Sequence, residues 1–375
     1  MHKLGFDAKR LFNNTTGLGN YSRTLLRNLS KYFPEEHYFL FSPKIKEHPL
    51  TLPFSKNPAY SSVFPSTRFK NYWRSYGMVN DLKQKEIELY HGLSHELPIG
   101  IENTKIKTVV TIHDLVIKTW QDTFPWFDRQ IYDRKFSSSC SRADQIIAIS
   151  ESTKNDIVKY YHTDPKRIKV IYQTCNENFK LILSDSLIQQ VLEKHQLPAS
   201  YLLYVGSVTE RKNLLGLLEA IRQLPKTLNI PLVVIGNGTT YLKKVLTFIE
   251  THGLQQQVFF PKKISTEELS AIYQGAELFC YPSFYEGFGI PIIEALFSKT
   301  PVLTSNLSSL PEAAGPGAFY ANPHEPESIS AGIQKILSDR TYRQELIERG
   351  YAHAQKFNGK DLTVEMMGVY RDLLI

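Results

Sequence analysis

Two glutamates eight residues apart, Glu286 and Glu294, lie in the most chemically loaded stretch of the chain, Pro282-Ser283-Phe284-Tyr285-Glu286-Gly287-Phe288-Gly289-Ile290-Pro291-Ile292-Ile293-Glu294-Ala295. Glu286 stands in a glycine-rich loop just past a strand-like run, and Glu294 stands in a helix-like run beside Ile292, Ile293, Ala295 and Leu296. A carboxylate among apolar neighbours is costly unless donors reach it. Sugar or ribose hydroxyls are suitable donors for both glutamates. A single glutamate on an apolar helix is ordinarily structural; the partnership with a glycine loop favours a ligand.

Other segments could hold an anion. The run Tyr201–Val205 ends in Gly206, and the following loop leads to Arg211-Lys212-Asn213 at the start of a helical pattern. Two cations beside a helix N-terminus oppose the helix dipole, which favours anions there. A bound phosphate would resolve that conflict; an exposed solubilising pair is the plain alternative. Near the N-terminus, Gly17-Leu18-Gly19-Asn20-Tyr21 forms a loop ahead of a helical run. Its glycines allow close backbone approach to a pyrophosphate, and equally suit an ordinary turn. His113 ends the run Thr108–Ile112, where an imidazole could make polar contacts or move a proton near neutral pH, or serve structure alone. His91 and His95 have helical ligand spacing but no third ligand, so no metal is expected. An Asp-x-Asp triplet, a GxxxxGK[ST] loop and a GxSxG elbow are all missing from the sequence.

These segments need a scaffold, and the hydrophobic pattern supplies one. Strand-like runs fall at Lys3–Phe6, His37–Phe41, Glu88–His91, Thr108–Ile112, Gln145–Ile149 and Ile168–Tyr172, with helix-period segments such as Asn20–Leu29 and Asp128–Ser139 between them. The rhythm lapses over Cys175–Ser200 and restarts at Tyr201–Val205, Leu232–Ile235, Val258–Phe260, Leu278–Tyr281 and Val302–Thr304. Strands separated by helices imply parallel α/β sheets. The expectation is therefore two Rossmann-like domains, residues 1–175 and 201–358, joined by a linker at 176–200. The helical segment 359–375 is expected to pack back across the junction. In such sheets ligands bind beyond the carboxyl ends of the strands, so the site is expected in a cleft on which both domains open.

A length of 375 residues fits two domains. No apolar run approaches the roughly 18 residues of a membrane span, and no leader is evident, so the protein is expected in the cytoplasm. Cys140, Cys175 and Cys280 are far apart, without a CxxC pair, and are expected to be free thiols. The net charge of +7 is unevenly distributed: residues 1–180 hold 27 Lys and Arg against 18 Asp and Glu. A basic face suits nucleic acid, an anionic membrane or a phosphorylated substrate, or nothing beyond solubility.

Taken together, GLGNY (17–21), TIHDL (111–115), AISESTKNDI (148–157), YVGSVTERKNL (204–214) and YPSFYEGFGIPIIEAL (281–296) resemble the family 4 glycosyltransferases. The resemblance spans essentially the whole chain and includes that family's E-x₇-E motif. Its form is closest to bacterial mannosyltransferases of surface-polysaccharide synthesis. It implies the GT-B fold, two Rossmann-like parallel-sheet domains facing across a cleft, and a retaining, metal-independent transfer of a hexosyl group without a cofactor. The donor implied is a nucleotide sugar, GDP-mannose by preference and a UDP-sugar otherwise. The acceptor implied is a glycan or a lipid-diphosphate-linked sugar, met at the inner face of an anionic membrane.

By position, Glu286 and the amides of Gly287, Phe288, Gly289 and Ile290 would bind the donor sugar, and Glu294 the ribose. Lys212 with Arg211, near Gly206, would stabilise the leaving diphosphate. The Gly17–Gly19 loop would close over the reacting centre, and His113 would orient the donor sugar. Many relatives carry Arg where this chain has Ser207, so Arg211 would supply that charge from a shifted position. Gln173-Thr174-Cys175 stands where relatives often have an Asn-Gly turn. The competing enzymes of the same fold are a nucleotide-sugar epimerase or a phosphorylase. A nicotinamide oxidoreductase would need a full GxGxxG after a strand, and nucleic-acid binding lacks any recognised motif.

Overall fold

A computed structural model describes residues 1–66, 68–121, 124–228 and 230–375. The chain divides into two compact units: residues 1–174 with 358–375, and residues 175–357.

The first unit is built on a sheet of seven strands. They are β1 (Lys3–Asp7), β2 (His37–Phe41), β3 (Tyr60–Val63), β4 (Leu89–Gly92), β5 (Lys107–Ile112), β6 (Gln145–Ala148) and β7 (Ile168–Val170). All neighbours pair in parallel, in the order β3-β2-β1-β4-β5-β6-β7. Strands of a parallel sheet are covered on both faces, which is why their sequences are nearly continuous apolar runs rather than alternating ones. The terminal helix Gly359–Leu374 belongs to this unit and packs on the helix Gly17–Tyr32. Buried Met366, Val369 and Tyr370 form its inner face, and the Tyr370 hydroxyl lies 2.6 Å from His91 Nδ1.

The second unit repeats the plan with six strands: β8 (Leu202–Val205), β9 (Leu232–Ile235), β10 (Val258–Phe259), β11 (Leu278–Tyr281), β12 (Val302–Ser305) and β13 (Ala318–Ala321). Their order is β10-β9-β8-β11-β12-β13, again parallel throughout. The stretch just after residue 175 carries a helix of its own, Asp185–Lys194, which packs on the helix Thr266–Gly275.

In each unit the strand order reverses beside the first strand, between β1 and β4 and between β8 and β11. Chain connections leave in opposite directions there, opening a crevice at the carboxyl edge. The loop after β8 carries Gly206–Lys212, and the loop after β11 carries Ser283–Gly289. The fold therefore brings the two most suggestive segments of the sequence to one crevice.

Candidate active site

The crevice of the second unit holds a compact charged cluster. After β8 the chain passes Gly206, makes a 3₁₀ turn at Glu210–Lys212, and enters the helix Leu214–Arg222 through Asn213. Asn213 takes the left-handed conformation at φ 56° and caps the helix by accepting a hydrogen bond from the Gly216 amide. Arg211 and Lys212 thus precede the helix, and the expected conflict with its dipole is met by a protein anion. Arg211 Nη1 lies 2.8 Å from Glu286 Oε2, and Lys212 Nζ lies 2.9 Å from Glu286 Oε1. The Lys212 ammonium also donates to the Tyr281 hydroxyl and stands 4.8 Å from that ring's centroid. Arg211 donates further to the Tyr285 carbonyl. A side chain at position 206 would lie 3.3 Å from the Lys212 stem, so glycine there leaves the lysine its path.

Glu286 is buried, and its Oε1 also accepts hydrogen bonds from Tyr281 (2.9 Å) and Ser283 (3.1 Å). Burial alone would raise its pKa; the charges of Lys212 and Arg211 outweigh that and hold it at about 2. It is an ionised acceptor throughout the neutral range, without a proton to give. The loop beyond is fixed by Ser309, whose hydroxyl donates to the carbonyls of Glu286 (2.8 Å) and Phe288 (3.0 Å). Gly289 sits at φ 113°, a conformation L side chains rarely adopt, and starts the helix Ile290–Phe297.

Glu294, about one turn into that helix, differs from Glu286 in every respect. It is partly exposed, and the Tyr273 hydroxyl at 3.1 Å is the one hydrogen bond it receives among the described residues. Burial pushes its pKa up to about 8, only partly opposed by that bond. At neutral pH it is mainly a carboxylic acid, able to donate as well as accept.

In the first unit, Gly17 and Gly19 do not form the expected loop: they occupy the first turn of the helix Gly17–Tyr32. Asn14 supplies the physical reason, since its Oδ1 reaches back to accept from the amides of Thr16 (2.9 Å) and Gly19 (3.2 Å). A Cβ at Gly19 would meet the Asn14 carbonyl oxygen at 1.9 Å, whereas one at Gly17 would meet nothing within 4 Å. Gly19 is thus required by the fold itself.

His113 is buried at the end of β5. Its Nε2 donates to the Leu93 carbonyl at 2.8 Å, and its Nδ1 accepts from Gln173 at 3.0 Å. Burial, with His95 nearby, pushes its pKa down to about 3, so the ring is neutral with both nitrogens engaged. Gln173, Tyr273, Tyr281, Ser283 and Ser309 all fix site residues; the sequence marks Gln173 only as a departure from the Asn-Gly turn of relatives and gives none of the five a role at the site. Only Tyr281 and Ser283 carried a signal, flanking the glycine loop at a strand end. His91 and His95 point to different partners: His91 bonds Tyr370 and Thr111, and His95 stacks on Phe136 at 4.3 Å. Among the described residues no group of three His, Cys, Asp or Glu could hold a metal ion, and no helix is long and apolar enough to cross a membrane.

Residues 16–178 match the profile of the family described as "Glycosyltransferase Family 4", and residues 189–353 match that of "Glycosyl transferases group 1". Each profile falls on one unit and together they take in most of the chain, which belongs to the family 4 glycosyltransferases. The chain is 28% identical over 375 residues to the O-antigen chain mannosyltransferase B of Escherichia coli, a match covering 95% of this chain and 96% of that one. It is 32% identical over 276 residues to the serotype-specific mannosyltransferase WbdA of Escherichia coli, covering 72% of this chain and 34% of WbdA. Sucrose-phosphate synthase from Thermosynechococcus elongatus superposes with a TM-score of 0.80 at 20% identity, over 100% of this chain and 99% of that one. The fold is that of the GT-B glycosyltransferases, with two parallel-sheet α/β domains.

Proposed function

We propose that this glycosyltransferase moves a mannosyl group from a nucleotide sugar, GDP-mannose before UDP-sugars, to a hydroxyl of a glycan or lipid-diphosphate-linked acceptor, with retention and without a metal. The observation that carries the reading is the Arg211–Glu286–Lys212 cluster in the crevice between β8 and β11, with Glu294 eight residues beyond Glu286. The names of the similar Escherichia coli proteins support the choice of sugar and of acceptor.

In this reading the acceptor oxygen bonds to the anomeric carbon as the bond from that carbon to the diphosphate breaks. The acceptor proton passes to the departing phosphate oxygen on the same face. Negative charge grows on the diphosphate, and preorganised cations are worth most where charge develops. Lys212 and Arg211 supply them in the role a divalent ion plays elsewhere. Glu286 holds both cations in place and offers acceptor lone pairs to sugar hydroxyls. Its ionised, doubly paired state makes it a poor nucleophile. Glu294 binds the ribose diol, the amides of Gly287, Phe288, Gly289 and Ile290 bind the sugar, and Gly206 admits the lysine. Gly17, Gly19 and neutral His113 serve as positioning groups toward the donor.

The basic first unit suits an anionic lipid surface. Phe69, Trp126 and Phe127 are 76%, 57% and 74% exposed, close in sequence to Arg68, Lys70 and Arg129, a composition suited to a lipid headgroup layer. Binding to anionic vesicles that salt does not weaken would count against this part.

The test of the donor is thermal unfolding against GDP, UDP, ADP, their sugar adducts and NAD, with and without EDTA. A ligand at about 100 times its Kd adds roughly 2.7 kcal/mol of stability. Stabilisation by guanine nucleotides, indifferent to EDTA, supports the reading; stabilisation by NAD alone refutes it.

A further inference from the structure

The first unit buries a cation that no carboxylate balances among the described residues. Arg23 stands in the second turn of the helix Gly17–Tyr32 and is only 4% exposed. Its Nη1 donates to the carbonyls of Leu11 (2.8 Å) and Asn14 (2.7 Å), and its Nη2 donates to the side-chain carbonyl of Asn20. All three acceptors are neutral. Burial, with the like charge of Arg27, pulls the pKa of Arg23 down from 12.5 to about 10, so it stays a cation at neutral pH. Arg74, deep in the same unit, is held in the opposite way, between Asp7 at 2.6 Å and Glu96 at 2.8 Å. A buried charge is costly without a counter-charge, and Arg23 bears that cost where Arg74 does not.

We propose that Arg23 is a positioning residue for the transfer reaction, its charge left uncancelled for the anionic diphosphate of the donor. The inference rests on the reading above, in which the Gly17–Gly19 turn meets the donor. The guanidinium is tied to that turn: Leu11 and Asn14 lie in the connection from β1 to the helix, at the carboxyl edge of the sheet where ligands bind. Asn14 in turn accepts from the Thr16 and Gly19 amides that open the helix. Gly19 also leaves the guanidinium its place, since a Cβ there would lie 2.9 Å from Arg23 Nη1. The helix has no acidic residue in its first turn, although its dipole favours one there. Asn20 is exposed in that turn with its carbonyl on Arg23. An aspartate at that position would gain twice, from the dipole and from the guanidinium, yet the chain has the isosteric amide. Stability is given up at this point, as it is at sites kept for function. A diphosphate supplies the counter-charge that the fold withholds, and the uncancelled cation is worth more as negative charge grows on the leaving group.

Supplying the withheld carboxylate is the test, because a scaffold role and a ligand role predict opposite results. Asn20→Asp adds it at an exposed position at constant shape. If Arg23 serves only to fasten the turn, a charged acceptor tightens its hold, and ligand binding stays at the wild-type value. The full-length protein is titrated with GDP, UDP and ADP by calorimetry, and is unfolded in urea without ligand. The expected result for Asn20→Asp is an unfolding midpoint at or above that of the wild type. Its affinity for the diphosphate that the wild type binds should fall at least about tenfold. In transfer assays kcat/KM for the donor falls with it, and the KM for acceptor does not move. Asn20→Ala removes the same acceptor without adding charge and should weaken the diphosphate far less. Wild-type diphosphate affinity in Asn20→Asp overturns the proposal, and so does an equal loss in Asn20→Ala, which would assign the effect to shape. A wild type that binds none of the three diphosphates sinks the donor reading and this inference together, whereas retained binding in Asn20→Asp removes Arg23 alone.

Discussion

Glu294→Gln is the substitution whose effect follows most directly from the structure. The glutamine is isosteric, and its carbonyl can still accept the Tyr273 hydroxyl. What it removes is a proton equilibrium. Burial raises Glu294 from 4.5 to about 8, so across that window the folded protein holds a proton that the unfolded chain has released. Stability contributed by such a group is fully present below pH 4.5 and is lost as pH rises toward 8, at up to about 1.4 kcal/mol per pH unit. Between pH 5.5 and 7.5 the native wild type should lose roughly 2.5 kcal/mol on this account. The glutamine variant has no such loss. Urea unfolding of both proteins at the two pH values isolates the effect, because every other titrating group cancels in the difference. The variant should gain on the wild type by about 2.5 kcal/mol over that interval, and nucleotide affinity should survive better in Glu294→Gln than in Glu294→Ala. A difference between the two proteins that stays flat with pH would refute the account of Glu294 as a half-buried, protonated acid.

Lys212→Ala should lower turnover about 100–1000-fold with donor affinity changed far less, measured by steady-state transfer; ordinary turnover would remove Lys212 from the mechanism. Gly17→Ala meets no atom within 4 Å and should stabilise the fold by about 0.4–1 kcal/mol in urea titrations. Gly19→Ala should destabilise it by more than that, so any loss of turnover in the folded Gly17→Ala protein reports on the donor and not on the scaffold. His91, His95 and His113 are held neutral by burial, each at about 3, so their stabilising contribution is lost as pH falls below 6.5. At pH 5.5 each should cost the first unit up to roughly 1.4 kcal/mol, read as faster amide exchange in residues 1–174 than in 175–357; uniform exchange at both pH values would contradict it.

The sequence pattern carries the central strands and two of the four edges, β7 and β10. β2, β9 and β11 stand at the ranges expected for them, because a strand covered on both faces must be an apolar run. β3 and β13 escape notice: each is a sheet edge, and Tyr60-Ser61-Ser62-Val63 has two serines where a central strand would have apolar residues. The start of the helix Gly17–Tyr32 is hidden for another reason: two glycines read as loop, and the cap that makes them helical comes from Asn14 outside the helix. At the site, the types and positions of Glu286, Arg211 and Lys212 are legible, and their mutual pairing is not. A one-dimensional pattern assigns the cations to a phosphate because it cannot see that β8 and β11 are neighbours. Asp7, Arg74 and Glu96 are harder still, since each is unremarkable in its own segment and only the topology gathers them.

Both units place a carboxylate gripped by cations at the same topological point. In the second it is Glu286, held by Arg211 and Lys212; in the first it is Glu96, held by Lys135 (3.0 Å) and by Arg74 (2.8 Å), which also pairs with Asp7 (2.6 Å). The energetics argue against stability as the reason. Buried ion pairs recover their desolvation cost poorly, and replacing a complete set with apolar groups of similar volume is often neutral or stabilising by about 1–4 kcal/mol. Removing one partner alone leaves an uncompensated charge and costs about 3–5 kcal/mol. Asp7 and Arg74 are nearly buried, at 2% and 10% side-chain exposure, while Lys135 at 40% can turn to water once Glu96 is gone. The triple change Asp7→Leu, Arg74→Met, Glu96→Leu should therefore keep or raise the unfolding free energy, whereas Arg74→Met alone should lower it by several kcal/mol. If the network serves function rather than stability, the triple variant folds well and loses transfer activity. If it exists to hold β1 to the short π-helix Trp73–Gly77, the triple variant is as unstable as the single one, and chemical denaturation of the two side by side decides between them.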